Sequence, residues 1–301
     1  MTDRILNDGP ERGDVRSVLT VGALLRWGEA GLAGAGAPAG QSAGTALDAE
    51  VLLAHVLGVT RARLRSHPEA TPDAAQRQHY AALIARRMAG EPLAYLVGYR
   101  EFWSLRLCVT PAVLVPRPET ELLVQRSLEL LTEPAAQVAD LGTGSGAIAL
   151  ALASERPGWH VVATDSSIEA LAVARHNAQQ LGLTPIELLC GAWLAPLAGR
   201  RFHLLVSNPP YVAGEDPLLR EAPLRFEPRS ALSPGPDALR DLRAIVAGAP
   251  EHLLPGGWLM LEHGADQAAP VRDALVARGF AHVRSHRDLA GHERVTEARW
   301  G

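Results

Sequence analysis

Lysine is absent from the 301-residue sequence, and cysteine occurs only twice. The two cysteines, Cys108 and Cys190, stand in different halves of the chain without the spacing of metal ligands, which argues against a disulfide framework and a zinc site. Lysine is missing from ordinary surface positions as well as from motifs, so we ascribe its absence to compositional bias rather than to function. We therefore expect a protein of the reducing cytoplasm with no bound metal.

Long hydrophobic runs are also missing. Residues 1–14 mix charges with turn formers and contain no apolar core of signal-peptide length, so we expect a flexible N-terminus. No later segment reaches the roughly 18 uninterrupted apolar residues that a membrane-spanning helix needs. The 29 basic and 33 acidic side chains give a net charge of -4, which weakens any case for phosphate-driven binding. We expect neither membrane insertion nor stable nucleic-acid binding.

The composition is that of an ordinary globular protein, with 47% hydrophobic and 21% charged residues, and the length suggests about two domains. Between residues 15 and 90, apolar residues recur at three-to-four spacing, which predicts a small helical domain. A segment rich in Gly, Ala, Pro and Ser, from Gly34 to Thr45, is predicted to be a flexible loop between two of its helices.

Residues 91–116 are predicted to form a linker that contains a β-hairpin. Strand-like residues occupy positions 102–107 and 112–115. Thr110 and Pro111 stand between them and favour a turn.

Residues 117–301 alternate strand-like and helix-like segments, the pattern of an α/β domain with a parallel sheet. One long segment, from Val212 to Pro236, is proline-rich and has no clear periodicity. Long irregular segments of this kind are more often functional than filler, so we predict a lid over a substrate channel.

A glycine-rich turn follows the first strand of this domain, in the sequence Val138-Ala-Asp-Leu-Gly-Thr-Gly-Ser-Gly-Ala147. Its glycines allow a ligand to approach backbone N–H groups closely. The pattern also fits the loose dinucleotide fingerprint, and a purely structural turn would look the same. Asp140 favours S-adenosylmethionine, because a carboxylate there would repel a pyrophosphate and attract an ammonium and a sulfonium. We predict cofactor contacts at Asp140, Gly142, Thr143, Gly144, Ser145 and Gly146.

Asp165 ends the second strand, about 20 residues beyond the glycines. From that place a carboxylate can accept hydrogen bonds from both hydroxyls of a ribose. The alternative is that Asp165 caps the helix that follows it. The two roles are compatible.

The fourth strand runs into Asn208-Pro-Pro-Tyr211, at the sheet edge where open α/β folds bind ligands. An amide or exocyclic amino nitrogen is a weak nucleophile because its lone pair is delocalised. The Asn208 side-chain oxygen and the Pro209 carbonyl could accept its two N–H bonds and aim the nitrogen at a sulfonium methyl. Pro210 stiffens the loop, and Tyr211 could stack on a planar amide or base. We predict Asn208, Pro209 and Tyr211 as catalytic, and all four as substrate-binding.

Several motifs resemble those of the release-factor glutamine methyltransferase family, also called the HemK family. They are Gly90-Glu-Pro-Leu-Ala-Tyr95, Phe102-Trp103, Pro116-Arg-Pro-Glu-Thr-Glu121, the turn from Asp140 to Gly146, Asn208 to Tyr211, Arg225-Phe-Glu-Pro-Arg-Ser230 and Asp288-Leu-Ala-Gly-His-Glu-Arg294. Together with the helical pattern before them, they extend over about residues 48–300.

This resemblance implies a Rossmann-like, seven-stranded methyltransferase domain behind a helical substrate-recognition domain and a hairpin linker. The implied substrate is the Gln of the Gly-Gly-Gln loop in class I peptide chain release factors, with S-adenosyl-L-homocysteine as the other product. Gly142 to Gly146, Asp165 and Asn208 are implied to contact the cofactor, with Trp193 as a wall beside the adenine. From the sequence alone, core packing is an equal alternative for Trp193.

Three other functions stay open at this point. An Asn-Pro-Pro-Tyr loop suits the amino group of adenine, although the chain lacks a surplus of basic residues. Another protein glutamine, for example in a ribosomal protein, is a closer alternative. A non-catalytic binding module is the third, and the intact Asn208 and glycine turn argue against it.

Overall fold

The structure, a computed structural model, describes residues 19–34, 42–183 and 186–301. The N-terminal segment 1–14, which we predict to be flexible, lies outside these residues. The chain divides into two compact units between Val97 and Gly98.

The first unit is helical, as predicted. Its helices are α1 (Val21–Ala33), α2 (Ser42–Leu57), α3 (Arg61–Ser66), α4 (Ala74–Met88) and α5 (Leu93–Val97). Asp73 and Gln76 form a capping box that starts α4, each side chain accepting from the other's backbone N–H. Tyr80 is fully buried and its hydroxyl donates to the Ala49 carbonyl at 3.3 Å. Gly28 packs against the Tyr80 ring so closely that a Cβ would lie 2.1 Å from the hydroxyl oxygen.

The predicted loop from Gly34 to Thr45 is wrong at its C-terminal end. Residues 35–41 lie outside the described residues, but Thr45 belongs to α2, which begins at Ser42. Thr45 is only 8% exposed. Burial in the helical unit therefore overrides the weak helix propensity of the small and polar residues on which the prediction rested.

The second unit is built on a mostly parallel seven-stranded sheet, which confirms the predicted α/β class. Its strands are β3 (Gln137–Leu141), β4 (His160–Asp165), β5 (Glu187–Cys190), β6 (Phe202–Ser207), β7 (Leu253–Glu262), β8 (Ala281–Arg287) and β9 (Glu293–Arg299). Their order is β5-β4-β3-β6-β7-β9-β8, and β9 is antiparallel to both of its neighbours. The order reverses beside β3, which pairs with β4 on one edge and β6 on the other. Ligands bind at such switch points in open α/β sheets.

Helices cover both faces of this sheet. They are α6 (Glu121–Leu130), α7 (Ala147–Glu155), α8 (Ile168–Leu181), α9 (Arg229–Leu232), α10 (Arg240–Gly248) and α11 (Ala268–Arg278). Successive residues of β3 face opposite ways: Val138 packs into the cluster that contains Leu123 of α6, whereas Ala139 packs into the cluster that contains Ile245 of α10. The sheet is therefore buried on both faces, and its carboxyl edge is left for the site.

The hairpin is present, but its predicted strands are wrong. It consists of β1 (Tyr99–Phe102) and β2 (Leu105–Cys108), which belong to the second unit. The turn residues are Trp103 and Ser104, both at positive φ (50° and 60°), and not Thr110 and Pro111. The Trp103 backbone N–H and indole N–H donate to Glu121 and Glu155. These tertiary contacts offset the strain of two non-glycine residues in the left-handed region.

The segment from Val212 to Pro236 contains more local structure than its sequence pattern indicates. It forms two short 3-10 helices, Pro217–Arg220 and Leu224–Phe226, and then α9. Ala213 and Gly235 are joined by a parallel bridge that draws its ends together.

Candidate functional site

A cavity of about 390 Å³ opens at the carboxyl ends of β3, β4 and β6. It collects eight of the predicted site residues: Gly142, Thr143, Gly144, Ser145, Asp165, Trp193, Asn208 and Pro210. Four other predicted residues, Asp140, Gly146, Pro209 and Tyr211, are outside its lining. The structure thus brings the glycine turn and the Asn208 loop to one cavity, although they lie far apart in sequence.

The glycine turn leaves open space at its centre. Gly142, Gly144 and Gly146 all have positive φ, at 76°, 56° and 86°. A Cβ on Gly142 would lie 2.8 Å from the Trp193 ring, and one on Gly146 would lie 2.9 Å from a methyl group of Leu150. A Cβ on Gly144 would meet no atom within 4 Å. The turn therefore fits a ligand that approaches the backbone at Gly144.

Asp140 lies behind the turn rather than in the cavity. It is fully buried, and its Oδ2 accepts from the Thr143 hydroxyl at 2.6 Å and from the Ala149 N–H at 3.2 Å. Its Oδ1 has no hydrogen-bond partner among the described residues. Burial raises the pKa of Asp140 to about 7, and the nearby Asp165 adds to the rise. The carboxyl can act on a bound cation only by its charge, without lining the cavity.

Asp165 connects two loops and lines the cavity. Its Oδ2 accepts from the Gly144 N–H and its Oδ1 from the Ser167 N–H, both at 2.9 Å. The alternative role as helix cap is wrong, because Ser167 caps α8 by accepting from the Ala170 N–H. Each oxygen of an ionised carboxylate has a further lone pair, so Asp165 can still accept from ligand hydroxyls.

The position of Trp193 is compatible with both alternatives, core packing and contact with the cofactor. It is half-buried against the core cluster that includes Leu197, and it also lines the cavity. The Thr164 hydroxyl donates to its carbonyl at 2.9 Å. Core packing is thus confirmed, and contact with an adenine ring stays a prediction.

Asn208 directly follows β6 and lines the cavity. Its Nδ2 donates to the Thr120 hydroxyl oxygen at 3.0 Å. With the nitrogen held in this way, Oδ1 is the atom available to accept a hydrogen bond from a ligand. This is the acceptor that the predicted chemistry requires.

Tyr211 anchors the end of the same loop. Its hydroxyl donates to Glu262 Oε1 at 3.2 Å, and its carbonyl accepts from Gln267 Nε2 at 2.9 Å. Burial is the main cause that raises the pKa of Tyr211 well above its ordinary value. The contacts give Tyr211 an anchoring role in the structure, and its predicted stacking on a substrate amide stays a prediction.

Sequence reasoning missed several residues of the site. Thr120 and Arg117 line the cavity from the segment before α6. Arg117 forms an ion pair with the buried carboxylate of Glu227, which also accepts from the Val115 N–H at 3.0 Å. These residues belong to the motifs from Pro116 to Glu121 and from Arg225 to Ser230. The family resemblance rested partly on those motifs, but it gave no role to their individual residues.

A second depression of about 510 Å³ adjoins the cavity. The two share Ser230, Ser233 and Arg240, so the segment between β6 and α10 borders both. This position agrees with a lid over a substrate channel, which stays a prediction.

The described residues contain neither a candidate membrane span nor a cluster of metal-ligating side chains. No helix in them is both long and apolar enough to cross a membrane. No group of three or more His, Cys, Asp or Glu side chains in them is arranged to hold a metal ion.

Two protein-family models together match most of the chain. Residues 23–98 match the family described as PrmC N-terminal domain, and residues 118–224 match the family described as methyltransferase small domain. The chain is 52% identical over 254 residues to the release factor glutamine methyltransferase of Pseudomonas aeruginosa, a match that covers 84% of this chain and 92% of that protein. It is 53% identical over 261 residues to the protein of the same name from Burkholderia pseudomallei, with the same coverage.

Solved methyltransferase structures share the fold. The catalytic domain of hMettl16 in complex with an RNA hairpin is 18% identical, with a TM-score of 0.54 over 73% of this chain and 81% of that one. A Thermus thermophilus 16S rRNA methyltransferase in complex with AdoMet and guanosine is 22% identical, with a TM-score of 0.50 over 67% of this chain and 50% of that one. These similarities confirm the Rossmann-like methyltransferase fold.

Proposed function

The chain belongs to the release factor glutamine methyltransferase family, and on this premise we propose that its cavity holds S-adenosylmethionine beside a glutamine amide of a class I release factor. The protein is an S-adenosylmethionine-dependent glutamine N5-methyltransferase. The observation that supports the site assignment is the geometry of Asn208, whose Nδ2 is bound to Thr120 while Oδ1 stays available as an acceptor. We place the reaction in the cytoplasm.

The residues around the cavity fit S-adenosylmethionine. The open space at Gly144 admits a ligand against the backbone, and Asp165 at the cavity wall can accept from ribose hydroxyls. Trp193 offers a flat apolar surface for the adenine. The buried carboxyl of Asp140 would favour the cationic end of the ligand by its charge. When bound there, S-adenosylmethionine supplies an electrophilic sulfonium methyl group.

The enzyme residues contribute to the reaction by positioning the substrate amide. Asn208 Oδ1 would accept one N–H of the glutamine amide, and the carbonyl of the adjacent Pro209 is assigned the other, although Pro209 is not among the residues that line the cavity. The amide nitrogen would form the N–C bond as the C–S bond of the methyl donor breaks, with neutral S-adenosyl-L-homocysteine leaving and one amide proton passing to water. Well-oriented groups can lower a barrier by on the order of 7–11 kcal/mol through proximity alone, so no covalent enzyme intermediate is needed.

A glutamine substrate is favoured over adenine. The relatives at about half identity over most of the chain are glutamine methyltransferases, whereas the RNA-bound neighbour shares only 18% identity and shows the fold alone. The net charge of -4 also opposes extensive phosphate contacts. A non-catalytic module would have no use for the held orientation of the Asn208 amide.

The test uses the full chain, a labelled methyl donor and three acceptors: an intact class I release factor, the same factor with its Gly-Gly-Gln glutamine replaced by alanine, and duplex DNA. We expect label only in the intact factor, with mass spectrometry locating one methyl group on that glutamine. Label in the alanine variant or in DNA would disprove the assignment.

A further inference from the structure

A buried carboxyl lies beneath the Asn208 loop, and the mechanism above gives it no role. Glu262 ends β7 and is 1% exposed. One of its oxygens accepts from the Tyr211 hydroxyl at 3.2 Å, whereas Oε2 has no hydrogen-bond partner among the described residues. A buried carboxyl oxygen without a partner is costly, so such groups point to a specific requirement at the site.

Thr120 lies between Glu262 and Asn208. It is 4% exposed, and its oxygen accepts from Asn208 Nδ2 at 3.0 Å. The Thr120 side chain lowers the pKa of Glu262, so its hydroxyl lies near that carboxyl, although the structure shows no hydrogen bond between the two. Because a hydroxyl has a single hydrogen, a Thr120 that donates toward Glu262 presents only lone pairs to Asn208.

The orientation of the Asn208 amide depends on this hydrogen. An amide can turn by half a rotation and exchange its oxygen and nitrogen at little steric cost. If the Thr120 hydrogen pointed at Asn208, it would bind Oδ1 and turn the NH₂ group toward the cavity. That NH₂ group would oppose the NH₂ group of a glutamine substrate, donor against donor.

We propose that Thr120 and Glu262 are positioning residues: Glu262 draws the Thr120 hydrogen away, and Thr120 then holds Asn208 with its oxygen toward the substrate amide. Glu262 also binds the Tyr211 hydroxyl, so the same carboxyl holds the tyrosine end of the Asn-Pro-Pro-Tyr loop directly. The proposal rests on the proposed function, because it assumes that Asn208 accepts from a substrate amide.

The charge state of Glu262 supplies a second readout. Burial raises its pKa to about 7, against the lowering effects of Thr120, Tyr211 and Arg294, and Glu119 adds to the rise. A protonated Glu262 can donate to the Thr120 oxygen, which leaves the Thr120 hydrogen to bind Asn208. The turnover number kcat should therefore rise as the pH increases through about 7.

The experiment compares Thr120→Val and Thr120→Ala, which remove the hydroxyl, with Thr120→Ser, which keeps it. We expect both hydroxyl-free variants to lose at least about tenfold in kcat on the release factor, while the dissociation constant for S-adenosylmethionine changes less than about twofold. Thr120→Ser should stay within about threefold of the unmodified chain in kcat. In Glu262→Ala, kcat should lose its rise through pH 7.

Ser127→Ala is the matched control, because Ser127 is a buried hydroxyl in α6 that donates to the Leu123 carbonyl and not to the site. Thermal unfolding is measured for every variant. Two hydroxyl-free variants are used so that the test still applies if one of them misfolds. Methylation by the unmodified chain tests the proposed function separately. If that chain is active and Thr120→Ala matches it in kcat, or Thr120→Ser is as impaired as Thr120→Ala, the positioning role is wrong.

Discussion

The Asp165 carboxylate accepts a 2.9 Å hydrogen bond from the backbone N–H of Gly144. This contact joins the end of β4 to the turn after β3, so the acid and the open space beside Gly144 form one wall of the cavity. A change at Asp165 therefore affects the turn as well as any ligand hydroxyl that the carboxylate binds.

Asp165→Ala should weaken binding of S-adenosylmethionine by roughly 1.5–3 kcal/mol, because ribose hydroxyls lose a charged acceptor. Asn208→Ala should leave cofactor affinity nearly unchanged and stop turnover, because it removes the acceptor for the substrate amide. Calorimetry with the methyl donor and a single-turnover assay measure the two effects. An equal loss of cofactor affinity in both variants would show that Asn208 is not primarily a substrate residue.

Gly142→Ala should destabilise the protein more than Gly144→Ala. Both alanines must adopt a positive φ, which costs about 1–2 kcal/mol, but only the Cβ at Gly142 would also lie 2.8 Å from the Trp193 ring. Denaturant unfolding gives the two free energies. In a Trp193→Ala background the extra cost at Gly142 should disappear, and its persistence there would mean that the ring does not cause it.

S-adenosylmethionine should bind more tightly as the pH rises through about 7, because of Asp140. Burial raises the pKa of this carboxyl, so the free enzyme favours its protonated form. In the unfolded chain the same carboxyl ionises near pH 4, so the free energy of unfolding falls as the pH rises from about 4 toward 7. A bound cation favours the ionised form and gains most above that pKa. Calorimetry at pH 6, 7 and 8 should show the trend. Titration of the ligand itself would affect the Asp140→Asn variant in the same way as the unmodified chain. A trend of equal size in that variant would therefore contradict the assignment of the pH dependence to Asp140.

The helical unit should supply recognition of the release factor. A glutamine side chain offers too little surface to select one protein, so affinity must come from contacts elsewhere. A chain that begins at Gly98 should bind S-adenosylmethionine as the full chain does, methylate intact factor much less efficiently, and act on a loop peptide about equally. If the truncated chain methylated intact factor as efficiently as the full chain, substrate selection would instead be assigned to the segment from Val212 to Pro236.

The alternation of strand-like and helix-like segments predicted the α/β class of the second unit. In the structure β3 is a short apolar run before the glycine turn, and α8 ends at Gly182, which adopts the left-handed conformation. The hairpin was misplaced because Thr110 and Pro111 carry a turn signal, whereas Trp103 and Ser104 carry none. Their turn depends on hydrogen bonds to Glu121 and Glu155, which are remote in sequence.

The sequence by itself determined which chemistry is present: a glycine turn after a strand, an acid after the next strand, and an amide with two prolines after a third. Each of these signals lies within a few consecutive residues, where backbone constraints act directly. The tertiary structure alone decided that Asp140 lies behind the turn, that Thr120 holds Asn208 across 88 residues, and that Glu262 lies beneath the loop. These relationships arise when separate strands and helices pack together, because only packing fixes burial and hydrogen-bond partners between distant residues.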